Sequence, residues 1–220
     1  MPSAVDICNI ALSHIGADAV VTSITPPDGS AESGHCARFY PIARKLLIEM
    51  HRWSFAKTRA QLAEVTNTSD VWEYAYALPA DCINPLRVLQ LKFVTASGFV
   101  WPSYHVQYNW GLVDNIFSER GSSDFEIESG VLRTNEPEAV LLYTRDVTDT
   151  TKFSNGFVDA LGMLVASYIA GPIIKGSEGA NIGARLRQTS LQLAEMAAAI
   201  DVNRSSESSD HVPAHIISRL

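Results

Sequence analysis

A chain of 220 residues, 46% hydrophobic and 19% charged, can bury a core of its own as one large domain or two small ones, and it is not disordered throughout. Seventeen Lys and Arg against 24 Asp and Glu leave a net charge of -7, so there is little basic surface to neutralise phosphates, which argues against tight, general DNA binding. The three cysteines, Cys8, Cys36 and Cys82, lack the paired spacing of a zinc site or a redox motif and read as reduced packing thiols.

The opening residues, MPSAVDIC, have no basic segment and carry Asp6 before any apolar run forms, so no export signal is expected. A helix is expected from Ser3, an N-cap with Asp6 three residues on, to a stop at Gly16, with Val5, Cys8, Ala11, Leu12 and Ile15 on one stripe. A turn follows at 25–30, with Pro26, Pro27 and Gly29. A second amphipathic helix then places Cys36, Phe39, Tyr40, Ala43, Leu46, Leu47 and Met50 together, with a bend expected near Pro41. Trp53 and Phe55 follow it, where two large aromatics suit the seam between a helical layer and the next element.

From about residue 57 the period changes. Trp72, Tyr74, Tyr76 and Leu78 alternate with Glu73, Ala75 and Ala77 as one aromatic strand face closed by Pro79. Residues 87–94, 125–128, 131–134 and 139–144 read as further strands, with Glu128, Ser129 and Gly130 turning a hairpin. The stretch 95–123 is rich in aromatics, Gly and Ser, and its pairing is left open between a long hairpin and a projecting loop. Helical spacing returns after Ser154 through Phe157, Leu161, Leu164, Val165, Tyr168 and Ile169 to an expected stop at Gly171 and Pro172. This apolar run is interrupted by Asp159, two glycines and Pro172, so a buried helix is expected in place of a membrane span. A glycine-rich link at 176–183 leads to a last helix over 184–203, with Leu186, Leu193, Ala194, Ala197 and Ile200 on one side and small residues suited to close helix approach.

The fold class expected from this pattern is α+β. A discontinuous antiparallel helical bundle is built from residues 1–60 and 150–203, and a mainly antiparallel β domain is inserted between its halves at 61–149. The serine-rich segment 204–220 reads as a flexible C-terminal tail whose apolar end suits docking onto another protein.

The search for chemistry gives mostly plain readings. A nucleophile elbow, a Walker A loop, a zincin motif and a dinucleotide fingerprint after a strand are all missing. Gly176, Gly179 and Gly183 lie between two helices, which suits a hinge or tight connection better than a phosphate cradle. His211 and His215 have metal-ligand spacing, but Pro213 lies between them and no third ligand is near in sequence; no metal or cofactor site is expected. His14 and His51 read as surface or interface residues. Asp124, Glu126 and Glu128 alternate along one strand face, where carboxylates are able to bind a divalent cation or serve glycoside cleavage, although a solvated face beside a turn is the plainer account. Trp72, Tyr74 and Tyr76 suit stacking on bases or sugars, or half of a β core, and the core reading is preferred.

An ordered series of short motifs carries more information than any one of them. It runs ICNIAL at 7–12 with Ile15 and Gly16, CARFYPIAR at 36–44, WSFAKTRAQLA at 53–63, WEYAY at 72–76, LPADC at 78–82, Leu142 with Tyr143, and Phe153 with FVDAL at 157–161. In order and spacing this series resembles the head-to-tail adaptor proteins of tailed bacteriophages, close to the tail tubular protein A group of short-tailed phages. The resemblance covers most of residues 4–175 and leaves 95–123 and the tail unmatched.

The resemblance implies a structural virion protein without enzymatic activity. It would form a ring, in this family typically of twelve copies, made in the host bacterial cytoplasm and resident at the head-tail junction of the virion. The ring would join the portal protein above to a downstream tail or nozzle protein below, pass the genome DNA through its lumen without specific binding, and involve no membrane. The apolar tail residues Val212, Ile216, Ile217 and Leu220 are then candidates for portal docking, and Trp101, Tyr104 and Trp110 for the surface facing the next tail component. An acidic balance suits a conduit in which DNA slides. Two rivals come from other classes: a phage-associated peptidoglycan hydrolase using the 124, 126 and 128 carboxylates, and a monomeric sugar- or peptide-binding module.

Overall fold

The structure, a computed structural model, describes residues 2–89, 92–94, 100–102 and 122–202. The described residues form a mixed α+β fold of four α-helices and two four-stranded antiparallel sheets, with an additional two-stranded ribbon.

Helix α1 (Ala4–His14) starts where its capping pair dictates: Ser3 Oγ accepts from Asp6 N at 3.1 Å and the Asp6 carboxylate accepts from Ser3 N at 2.8 Å. Its buried residues are Ile7, Cys8, Ala11 and Leu12, while Val5 and Ile15 are only partly covered, so the stripe is centred one position from the expected one. Asn9 ties the following loop back to the helix, donating to Val21 O at 2.9 Å and accepting from Val21 N at 3.1 Å. Helix α2 (Ala31–Met50) is capped by Ser30 and runs through Pro41. It buries Cys36, Tyr40, Ala43, Leu47 and Ile48, but Met50, expected on that stripe, is 49% exposed.

Trp53 lies at the seam, fully buried, its indole N–H donating to Leu47 O at 2.7 Å. Its ring meets Phe157 at 5.0 Å, and Phe55, Phe153 and Phe157 pack mutually at 4.7 to 5.4 Å, so residues a hundred positions apart share one aromatic cluster.

Helix α3 (Asn155–Ile174), capped by Ser154, passes through Gly171 and Pro172 where a stop was expected. A proline near a helix end removes one backbone hydrogen bond, and packing against the next helix outweighs that loss. Among the described residues α3 is the one helix long and apolar enough to cross a membrane, yet half of its 20 residues are buried inside the protein. After a single residue, Lys175 at φ +63°, helix α4 (Gly176–Val202) begins. The expected glycine link is therefore two helical turns. A Cβ on Gly179 would lie 2.9 Å from Ala170 O, and one on Gly183 would lie 2.8 Å from Ser167 O, so these glycines exist to let α4 touch the α3 backbone. Gly156 does the same against Ala197 at 2.7 Å. Ile200, expected on the buried side of α4, is 57% exposed.

The first sheet contains β1 (Lys57–Gln61), β10 (Val140–Arg145), β4 (Cys82–Leu89) and β7 (Ser122–Ser123) in that order. The second contains β2 (Ala63–Glu64), β3 (Tyr74–Ala77), β9 (Val131–Thr134) and β8 (Phe125–Glu128). Strand β4 starts five residues before the expected 87, because the sheet absorbs Pro85 at a register shift in its pairing with β10. Strand β5 (Lys92–Val94) is separate and pairs with β6 (Val100–Pro102), a hairpin at the start of the stretch left open above.

Only Leu62 separates β1 from β2, and only Asp124 separates β7 from β8. Each of these two runs passes from one sheet into the other, so hydrogen-bonded neighbours follow one another around both sheets, with the runs as opposite corners. Between the sheets lies a core of Leu62, Tyr76, Val88, Leu132, Leu141 and Tyr143. A second, larger core draws on all four helices together with Trp53, Val147 and Phe153.

Candidate functional site

The residues singled out from the sequence fall in three places. Tyr104, Trp110, Val212, Ile216, Ile217 and Leu220, with His211 and His215, lie outside the described residues. Trp101 is the middle residue of β6, with its backbone opposite Phe93 of β5. The acidic strand and the aromatic strand are described in full.

Asp124, Glu126 and Glu128 are exposed along the corner run that includes β8, while Phe125 on the other face packs against the core between the sheets. Two of the three acidic side chains, Glu126 and Glu128, are held by neighbours, and Asp124 is held through its backbone. Trp72 Nε1 donates to Glu126 Oε2 at 2.9 Å, Arg133 Nη1 pairs with Glu128 Oε2, and Asp124 accepts from Thr134 Oγ1 through its backbone carbonyl at 2.9 Å. Strands β8 and β9 bring this about, because their register sets Glu126 opposite Arg133 and Glu128 opposite Val131. The arrangement is a solvated carboxylate face with a cationic and an indole partner. Among the described residues no group of three or more His, Cys, Asp or Glu side chains gathers closely enough to hold a metal ion.

The aromatic strand divides its side chains between two roles. Tyr76 is buried and donates from its hydroxyl to Glu136 O at 2.9 Å; Tyr74, half-buried, stacks on it at 6.3 Å between centroids. Trp72 lies before the strand and bonds Glu126.

Opposite the acidic corner, the run through β1 and β2 carries Lys57 and Arg59 beside Thr58 and Ala60. The alternation K-T-R-A-Q at 57–61 was the signal for this strand, and the sequence reading passed over it because one face is cationic and the other has only small residues.

Two buried polar ties also escaped sequence reasoning. Arg44 Nη2 meets Asp146 Oδ1 at 2.6 Å, joining α2 to the chain after β10. The Asp201 carboxylate holds Ser54 where α2 gives way to β1. His51 sits beside this tie, its ring edge-on to Trp53 at 5.0 Å; burial is the main cause that lowers its pKa, against an opposing pull from Asp201. Cys8 and Cys36 are free and buried, and the hydrogen bond that the Cys8 thiol donates to Cys36, together with burial, raises the Cys8 thiol, which keeps it neutral.

Four exposed apolar residues lie on the stretches of chain that flank the tie between Ser54 and Asp201, while Ile10, Val20, Ile42, Val71 and Ile127 are exposed elsewhere. Met196, Ile200 and Val202 on α4 are 64%, 57% and 55% exposed, close to where the chain leaves the described region, and Met50 ends α2 near the Ser54 tie.

Neither a known protein-family model nor a curated protein matches the chain.

Proposed function

We propose that the chain is a structural virion protein of tailed bacteriophages, an adaptor that forms a ring between the portal and the tail and lines the DNA passage. The observation that carries this reading is the ordered motif series together with what its residues do. Ile7, Cys8, Ala11, Leu12, Cys36, Tyr40, Ala43, Trp53, Phe153, Phe157 and Leu161 are buried in the larger core, and Leu62, Tyr76 and Tyr143 of the same series in the core between the sheets, so the motif residues are packing residues of both cores. Under this reading residues 1–60 and 150–203 act as a discontinuous helical bundle, 61–149 as an inserted β domain and 204–220 as a docking tail. A bundle is stiff enough to pack side by side in a ring, and the β domain presents its corners to neighbours.

The portal protein is the partner above, engaged through Val212, Ile216, Ile217 and Leu220. The next tail component is the partner below, engaged around Trp101, Tyr104 and Trp110. Exposed Met196, Ile200 and Val202 support an interface at the end of α4 from which the tail departs. The test is binding of the full chain and of a chain ending at Asn203 to the cognate portal, alongside a peptidoglycan zymogram. Portal binding that needs the tail, with no zone of lysis, is the expected result. A zone of lysis lost on replacing Asp124, Glu126 and Glu128 would overturn the adaptor reading in favour of a hydrolase.

A further inference from the structure

The two corner runs of the β region are chemical complements. Along β1, Lys57, Arg59 and Gln61 alternate with Thr58 and Ala60, and Ala60 packs toward the core between the sheets. Along the other corner, Asp124, Glu126 and Glu128 alternate with Phe125 and Ile127, and Phe125 packs toward that same core. Among the described residues β1 pairs only with β10, and β8 only with β9, so each has one edge without a strand neighbour. The two edges lie at opposite ends of the sheets.

We infer that β1 of one copy of this chain pairs antiparallel with β8 of the next, head to tail, and that this pairing joins neighbours around the ring; the inference rests on the ring proposed above. Directly opposed residues of an antiparallel pair share a face. In the register that sets Lys57 opposite Glu128, Arg59 meets Glu126 and Gln61 meets Asp124 on the outer face, while Thr58 meets Ile127 and Ala60 meets Phe125 on the inner face. Four of the five positions match in polarity, and the fifth sets two β-branched side chains, Thr58 and Ile127, side by side. The same charges disfavour symmetric pairing: two β8 edges would oppose carboxylates, and two β1 edges would oppose Lys and Arg. An association that excludes the two-fold dimer is heterologous, and such contacts close into rings when the rotation per subunit permits. Charged side chains on open edges also keep each from pairing with an unrelated strand. The internal contacts of Glu126 with Trp72 and of Glu128 with Arg133 each use Oε2 and hold the carboxylates on the outer face.

The test mixes full-length Arg59→Cys and Glu126→Cys single variants on the cognate portal and in concentrated solution, then oxidises with copper phenanthroline. A disulfide-linked dimer in the mixture, absent from either variant alone, is the expected result; the same holds for Gln61→Cys mixed with Asp124→Cys, a second pair at exposed positions. Arg59→Glu should weaken self-association by about tenfold or more, and adding Glu126→Arg in the same chain should restore it. Rings on the portal with neither cross-link would overturn the strand pairing and leave the adaptor reading intact. Cross-links without portal binding would support the pairing and overturn the adaptor reading. Cross-links within one single variant would overturn the head-to-tail arrangement.

Discussion

Asp201, in the last turn of α4, accepts two hydrogen bonds from Ser54, 147 positions earlier in the chain: one from the backbone N–H at 2.7 Å and one from Oγ at 2.6 Å. A carboxylate near a helix C-terminus is disfavoured by the helix dipole. Asp201 is nevertheless 5% exposed there, because its two partners replace water. Asp201→Ala should cost about 2 kcal/mol and Ser54→Ala about 1 kcal/mol, read from urea unfolding, since charged hydrogen bonds contribute more than neutral ones.

The glycines of the α3 and α4 pair should respond opposite to an exposed helical glycine. Alanine is the better helix former by about 1 kcal/mol, so Gly34→Ala in α2, where a Cβ meets nothing within 4 Å, should stabilise the protein by up to that amount. Gly183→Ala would bring a Cβ to 2.8 Å from Ser167 O and should destabilise by about 1 to 3 kcal/mol, because the backbone it meets cannot move aside as a side chain does. Thermal melting of the two variants checks the opposite signs.

Arg44 is 7% exposed and pairs with Asp146, whose other oxygen lies 3.6 Å from Lys45. Removing one partner of such a pair leaves an uncompensated buried charge. Asp146→Ala should cost about 3 kcal/mol, at the low end for buried pairs because the Asp146 side chain keeps 20% of its exposure. The double variant Arg44→Met with Asp146→Leu should recover most of that loss in the same unfolding assay.

Acid should weaken the protein in two steps. Burial depresses the pKa of His51 below the ordinary 6.5, against the attraction of Asp201, while Lys57 and Arg52 reinforce the depression. The unfolded chain therefore binds this proton first, so the contribution is whole above pH 6.5 and is lost as pH falls below it. His51→Gln should flatten that part of the curve of melting temperature against pH. Asp6, Asp28 and Asp149, each held below the ordinary 3.8 chiefly by hydrogen bonds from neighbouring Ser or Thr residues, produce the second step as pH falls below that value.

What the sequence disclosed was local. Ser3 with Asp6, Ser154, and the turn at Ser129 and Gly130, both at positive φ, announced the elements they start or reverse. The acidic alternation at 124–128 gave its strand and its exposed face. What it hid was tertiary. Pro172 and Gly176 to Gly183 read as breakers because propensity is local, whereas the close contact of α3 with α4 decides their state. Ile200 and Met50 fit a helical stripe in sequence, yet their own side chains stay about half exposed among the described residues, while Ala197 and Asp201 beside them on α4 are buried. The Arg44 and Asp201 ties join positions more than a hundred residues apart, a distance no spacing rule spans. The basic edge of β1 gained meaning only once the sheet order set it opposite β8.

Electron microscopy of the purified chain mixed with its cognate portal ring addresses the adaptor reading most directly. A second ring stacked coaxially on the portal, with one copy of the chain for each lateral neighbour contact, is the predicted image. Folded monomers beside bare portals would contradict it.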